Sequence, residues 1–155
     1  MKVYLAAPFF TNKQKNDKSA VKTVLAFRKD VEVLDPQDFD LGVSGWEMTN
    51  HQWGKNVFDD DVKALSKADV VVAIDYGMYS DTGTAWEIGY AYGAGIPIIT
   101  LVPDETIPTQ HSLMVCSSSK IFCSIKRFCT TLTIQTFEEF LETGNKYNLL
   151  GVELK

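Results

Sequence analysis

Between two aspartates, the stretch Asp69-Val70-Val71-Val72-Ala73-Ile74-Asp75 carries nothing but apolar side chains. A short apolar run without alternation suits a strand covered on both faces, the situation of a parallel sheet sandwiched by helices. Other segments agree. Residues 2–7 (KVYLAA) read as a first strand ended by Pro8, and Val31-Glu32-Val33-Leu34 as a short second one. Pro97 to Val102 follows the helix stop at Gly95, and Lys120 to Ile125 is a fifth candidate. Helices fit between them. Asn12 to about Arg28 carries Val21, Val24, Leu25 and Phe27 on one side, and Gln52 to Lys67 carries Trp53, Val57, Asp61 and Leu65 at i, i+4, i+8 and i+12. A third helix runs to about Ala94, and Thr136 to Glu142 is a short one. Residues 35–50 form a long loop rich in Asp, Gly, Pro and Ser, of the kind that is functional or disordered. The last dozen residues show no pattern. The alternation predicts a single α/β domain over residues 1–155, a three-layer sandwich on a parallel sheet of about five strands.

Composition narrows the partners. A net charge of −5 over 155 residues argues against nucleic acid or an anionic membrane surface. No stretch approaches the ~20 apolar residues of a membrane span, and Pro8 breaks the N-terminal apolar run before it makes a signal sequence. Cys116, Cys123 and Cys129 have no zinc spacing and there are two histidines, so free thiols in a reducing, cytoplasmic setting are expected and no metal site. The first strand–helix turn, APFFTN, lacks the glycine patterns of dinucleotide and triphosphate sites, so no such cofactor is expected.

In a parallel sheet the loops after the strands open on one carboxyl edge, where ligands bind. That edge collects Tyr4, Phe9, Phe10, Gln37, Asp81 and Glu87, with Asp61 on the preceding helix in the stripe of Trp53. Aromatic walls, several carboxylates and almost no cations suit a neutral, flat, hydrogen-bonding ligand such as a nucleobase or nucleoside. Each residue has an ordinary alternative. Thr84-Ala85-Trp86-Glu87 fits a helix capping box, in which the glutamate only ties off the helix start. Asp81 can stabilise the same turn, Asp61 can be a solvated member of Asp59-Asp60-Asp61, and Tyr4 can be core. Periodicity leaves these open.

Three motifs in order, VYLAAPFF at the N-terminus, W-x(7)-D from Trp53 to Asp61, and YSDTGTAWEIG from Tyr79 to Gly89, resemble the nucleoside 2-deoxyribosyltransferases. The likeness runs from the first strand to about residue 103, with a fainter echo at Ser112-Leu113-Met114. It implies a flavodoxin-like fold and exchange of the base on a 2'-deoxynucleoside, with free nucleobases as co-substrates and no cofactor. On this likeness Glu87 is the nucleophile, Tyr4 orients it, Asp81 holds the sugar 5'-hydroxyl, and Asp61 contacts the base and exchanges a proton with it. Phe10, Gln37 and Trp53 line the base pocket, and Asp60 and Met114 join this substrate-binding set. The family commonly reads Asn-Leu-Met where this chain has Ser112, and that asparagine reaches a neighbouring subunit's site. A homo-oligomer with shared sites, often a hexamer, is therefore implied, with the Ser112 contact altered. The segment Tyr147 to Lys155 does not match the tails that close the base pocket in some members.

Two rivals share the fold. One is an N-glycoside hydrolase acting on a (deoxy)nucleoside or its 5'-monophosphate; the monophosphate would need a phosphate site, and a carboxylate at Asp81 repels phosphate. A nucleoside-sensing module without catalysis would bind but not turn over.

Overall fold

The computed structural model describes residues 1–39, 51–103 and 111–143, with backbone alone for residues 51 and 52. The described elements run β1 (Lys2–Ala6), α1 (Asn12–Ala26), β2 (Glu32–Leu34), α2 (His51–Leu65), β3 (Val70–Ile74), α3 (Thr82–Gly93), β4 (Ile98–Val102), α4 (Leu113–Ser118), β5 (Ile121–Ser124), α5 (Ile125–Thr131) and α6 (Phe137–Thr143). The five strands pair in parallel in the order β2-β1-β3-β4-β5. The chain moves outward from β1 to β2, then returns to β3 on the other side of β1. The carboxyl ends of β1 and β3 therefore form the topological switch point, the crevice that ligands use in such sheets.

Strand alternation divides the core in two. Val3, Leu5, Val70, Val72 and Ile74 pack with Val21 and Leu25 of α1 and with Phe128, Phe137 and Phe140 of α5 and α6. On the other face Tyr4, Ala6, Val71 and Ala73 pack with Leu65 of α2, Ile88 and Ala91 of α3, and Val115 of α4. Every residue of β3 is buried, the physical content of its unbroken apolar run. Gly95 takes φ +74° just beyond α3, a left-handed turn in which a side chain is strained.

The strands fall within a residue or two of their sequence-based expectations. Two helices do not. α4 and α5 were not anticipated, and α5 follows β5 without a loop. Ser124 ends the strand and caps the helix, its side chain accepting from Arg127 N–H at 3.2 Å. The strand runs straight into the helix through Ser124, and no glycine or proline marks the junction. Phe27, expected on the apolar side of α1, is 83% exposed because α1 ends at Ala26 and Phe27 is its C-cap. Pro36–Asp38 at the start of the expected loop forms a 3-10 turn. The rest of that loop from residue 40, and the tail from Tyr147 to Lys155, lie outside the described residues.

Candidate active site

The helix start at residues 81–84 decides between the alternatives for Glu87. Asp81, not Thr84, is the N-cap of α3, its Oδ2 accepting from Thr84 N–H at 2.9 Å. The carboxylate folds over Gly83, where a Cβ would lie 2.8 Å from Oδ2 and push the capping side chain aside. Glu87 therefore lies in the second turn and belongs to no capping box. Its neighbours on the buried stripe are Thr84, Ile88 and Ala91, so its side chain is turned toward the sheet. There the Tyr4 hydroxyl, rising from β1, donates to Glu87 Oε1 at 2.6 Å. Tyr4 is completely buried, yet its polar end meets a carboxylate 83 residues away in sequence.

Burial pushes the Glu87 carboxyl up to about 7; the Tyr4 hydrogen bond and Lys18 pull it down, and the charges of Asp61 and Asp81 push it further up. Neither the helix start nor Tyr4 keeps Glu87 in the ordinary carboxylate range. In the second turn it gains little from the helix end, and desolvation outweighs the tyrosine. Asp61 on α2 is raised to about 6 by burial and by Asp60, against Lys18. Burial, then Glu87 and Asp61, raise the Tyr4 hydroxyl far above its ordinary value, so it stays a donor.

Other candidates distribute unevenly. Phe10 is 61% exposed and stacks on Phe9 with centroids 5.2 Å apart. Trp53 is half-buried in the first turn of α2. Asp60 lines a separate cleft of about 500 Å³ between α2 and β2, with Glu32, Asp38 and Lys63; it reaches Asp61 by charge and is not part of the Tyr4–Glu87 pair. Ser112 is the exposed N-cap of α4, making no side-chain cap bond, and Met114 is 81% exposed. Behind them buried His111 Nδ1 meets Asp75 Oδ2 at 2.6 Å, fastening the approach to α4 against the end of β3.

A cation was missed. Lys18 of α1 is 4% exposed. Its Nζ donates to Asp35 Oδ1 at 2.7 Å and to Gln37 Oε1 at 2.8 Å, and lies 5.1 Å from the Phe9 ring centroid. Burial pushes the Asp35 carboxyl up, but hydrogen bonds from Lys18 and Lys22 and from the Gln37 backbone bring it below the usual range. The pocket is not nearly free of cations, as the sequence suggested. The available signal was the spacing of Lys18, Val21 and Leu25, one buried stripe of α1, on which a lysine needs a partner.

The Tyr4–Glu87 pair sits at the switch point of this fold, and comparisons with known proteins bear on the family. The family model described as nucleoside 2-deoxyribosyltransferase matches residues 3–141. The chain belongs to that family. Among solved structures it is similar to the 2-deoxyribosyltransferase of the psychrotolerant bacterium Bacillus psychrosaccharolyticus, at 28% identity and TM-score 0.76, over 90% of this chain and 95% of that one. Two more distant structures share the fold. One is a 2-deoxyribosyltransferase of Leishmania mexicana, at 20% identity and TM-score 0.61, over 92% of this chain and 97% of that one. The other is a CMP N-glycosidase of Clostridium botulinum, at 22% identity and TM-score 0.56, over 86% of this chain and 98% of that one. No curated protein matches the sequence. Among the described residues, no helix of this family member is long and apolar enough to cross a membrane.

Proposed function

We propose that the protein exchanges the base of a 2'-deoxynucleoside through a covalent deoxyribosyl–Glu87 intermediate with net retention. The observation that carries this is the 2.6 Å hydrogen bond between the Tyr4 hydroxyl and Glu87 Oε1 at the sheet's switch point, which leaves Oε2 as the attacking atom. Glu87 attacks C1' from the face opposite the base, and the glycosidic C–N bond breaks with its electron pair going to the base nitrogen. Asp61 supplies that nitrogen's proton. The incoming base then attacks C1' from the original face, the ester C–O bond breaks, its electrons return to Glu87, and Asp61 takes up the proton the new base loses. Two inversions give retention, the logic of retaining glycosidases.

Asp81 binds the sugar 5'-hydroxyl through the carboxylate that also caps α3. Phe10, Trp53 and Gln37 flank the base. The active unit is a homo-oligomer, with Ser112 and Met114 facing a neighbouring copy. In support, Tyr92 and Met114, 66 and 81% exposed, line an apolar groove of about 310 Å³ between α3 and α4, surface that a lone subunit rarely leaves open.

The test is mass spectrometry of protein incubated with a 2'-deoxy-2'-fluoro nucleoside. Sugar mass is expected on the peptide containing Glu87 and absent from Glu87→Ala; mass elsewhere overturns the assignment. Deoxyinosine with and without adenine separates transfer from the hydrolytic alternative, since release of hypoxanthine that never yields deoxyadenosine favours the hydrolase.

A further inference from the structure

Lys18 has a consequence for which base the pocket accepts. An ammonium has three donors and no acceptor, so the Gln37 atom facing it at 2.8 Å must be the carbonyl oxygen Oε1. Carboxamide orientation is ordinarily ambiguous; here the lysine fixes it. A flipped amide would set its NH₂ against the cation. Asp35 secures the arrangement from both sides: Oδ1 accepts from Lys18 at 2.7 Å and from Gln37 N–H at 3.0 Å, and Oδ2 meets Lys22 Nζ at 2.8 Å. Lys18 is 4% and Asp35 2% exposed, whereas Gln37 is exposed. The buried pair therefore holds one side of the amide, and Nε2 with its two hydrogens is turned from the lysine. The charge of Lys18 also acts on both Asp61 and Glu87, so this cluster borders the reacting carboxyls.

We propose that Lys18 is a specificity-determining positioning residue: it presents Gln37 to the base as a donor, favouring heterocycles that offer a carbonyl or ring-nitrogen acceptor there over those that offer an amino group. This rests on the reading above that Gln37 borders the base. Hypoxanthine, with O6 and N7, offers two acceptors along one edge; adenine offers N7 beside a 6-amino donor. The donor–donor clash is what discriminates, because a site built to hydrogen-bond one group rejects an analogue that leaves its polar atoms unpaired.

Two variants and two readouts test this. Lys18→Met keeps the stem and removes the donor, freeing the amide to turn. Gln37→Glu keeps Lys18 paired and replaces the NH₂ by an acceptor, so it stands if Lys18→Met fails to fold. For each we would measure kcat and KM for hypoxanthine and adenine as acceptors, and equilibrium binding of each free base. Wild type should prefer hypoxanthine; the preference should fall by roughly tenfold, the order of one hydrogen bond, in Lys18→Met, and reverse in Gln37→Glu. The change should appear in KM, whereas a merely structural lysine would lower kcat for both bases alike. Base exchange with a hypoxanthine-to-adenine ratio unmoved in both variants overturns the proposal and leaves the transferase reading intact. Absence of exchange in wild type, with a binding preference that still follows Lys18 and Gln37, overturns the transferase reading alone. If the wild type binds neither base, both fall.

Discussion

Glu87→Gln should make the protein more stable, and only above a definite pH. Buried beside Tyr4, the Glu87 carboxyl ionises near 7 rather than at its ordinary 4.5, so the folded chain holds this proton more tightly than the unfolded chain. Stability therefore falls as pH rises from 4.5 to about 7, and the deficit stays constant above that. At about 1.4 kcal/mol per pH unit the full penalty is about 3 kcal/mol, reduced to about 2–3 by the partial solvent access of a half-buried group. Glutamine has nearly the same shape, never ionises, and still accepts from the Tyr4 hydroxyl. Below pH 4.5 both proteins carry a neutral group there and should melt together. Above pH 7 the variant should gain about 2–3 kcal/mol, or roughly 5–10 °C in Tm for a chain of this size. Thermal melts at half-unit intervals from pH 4 to 8.5, in one ionic strength, read this directly. A Tm difference that is flat across the range, or largest in acid, would refute the argument that burial dominates at Glu87.

The same two raised carboxyls set the activity profile. On the proposed mechanism exchange needs Glu87 ionised and Asp61 protonated, so kcat/KM should peak between about 6 and 7, and Asp61→Asn should cost about 10²–10⁴ in rate and flatten the alkaline limb; the profile is checked by steady-state assay in overlapping buffers. Tyr4→Phe removes a bond that favours the charged carboxylate, worth about 1.5–3 kcal/mol, and should move the acid limb upward by one to two pH units, read as recovery of activity in alkaline buffer. Asp81→Ala should lower urea stability by about 1 kcal/mol through loss of the α3 cap. Asp81→Asn should restore that stability, while both variants raise KM for 5'-hydroxyl donors more than for 5'-deoxy ones.

The sheet and the helices other than α4 and α5 were readable because burial on both faces leaves an unmistakable mark, as in β3, and because Pro8 and Gly95 punctuate the chain. Glu87 was not readable from pattern. Asp81-x-x-Thr84 and Thr84-x-x-Glu87 have the same spacing, and which pair forms the cap depends on where the 3-10 turn Gly77–Tyr79 delivers the chain to α3. Tyr4 likewise looks like core until the packing of α3 on β1 is known. Lys18 was overlooked because its partners Asp35 and Gln37 lie 17 and 19 residues away, on a turn that sequence reads only as loop.

The electrostatic balance of the crevice follows from these placements. The charges of Asp61 and Asp81 both push Glu87 up, and the buried cation Lys18, which pulls Asp61 and Glu87 down, is already paired with Asp35. Burial is the main reason that Asp61 and Glu87 hold protons near neutrality, and neighbouring carboxylates add to it. Such a site is poorly matched to a phosphate, whose charge would add to the repulsion. It is well matched to a sugar that arrives neutral and becomes cationic at C1' as its base departs, because attraction then grows along the reaction coordinate instead of being spent on ground-state binding. The stability that Glu87 costs at rest is the same electrostatic strain that the proposed transition state relieves. Weakening it by Glu87→Gln should therefore raise stability and lower turnover together.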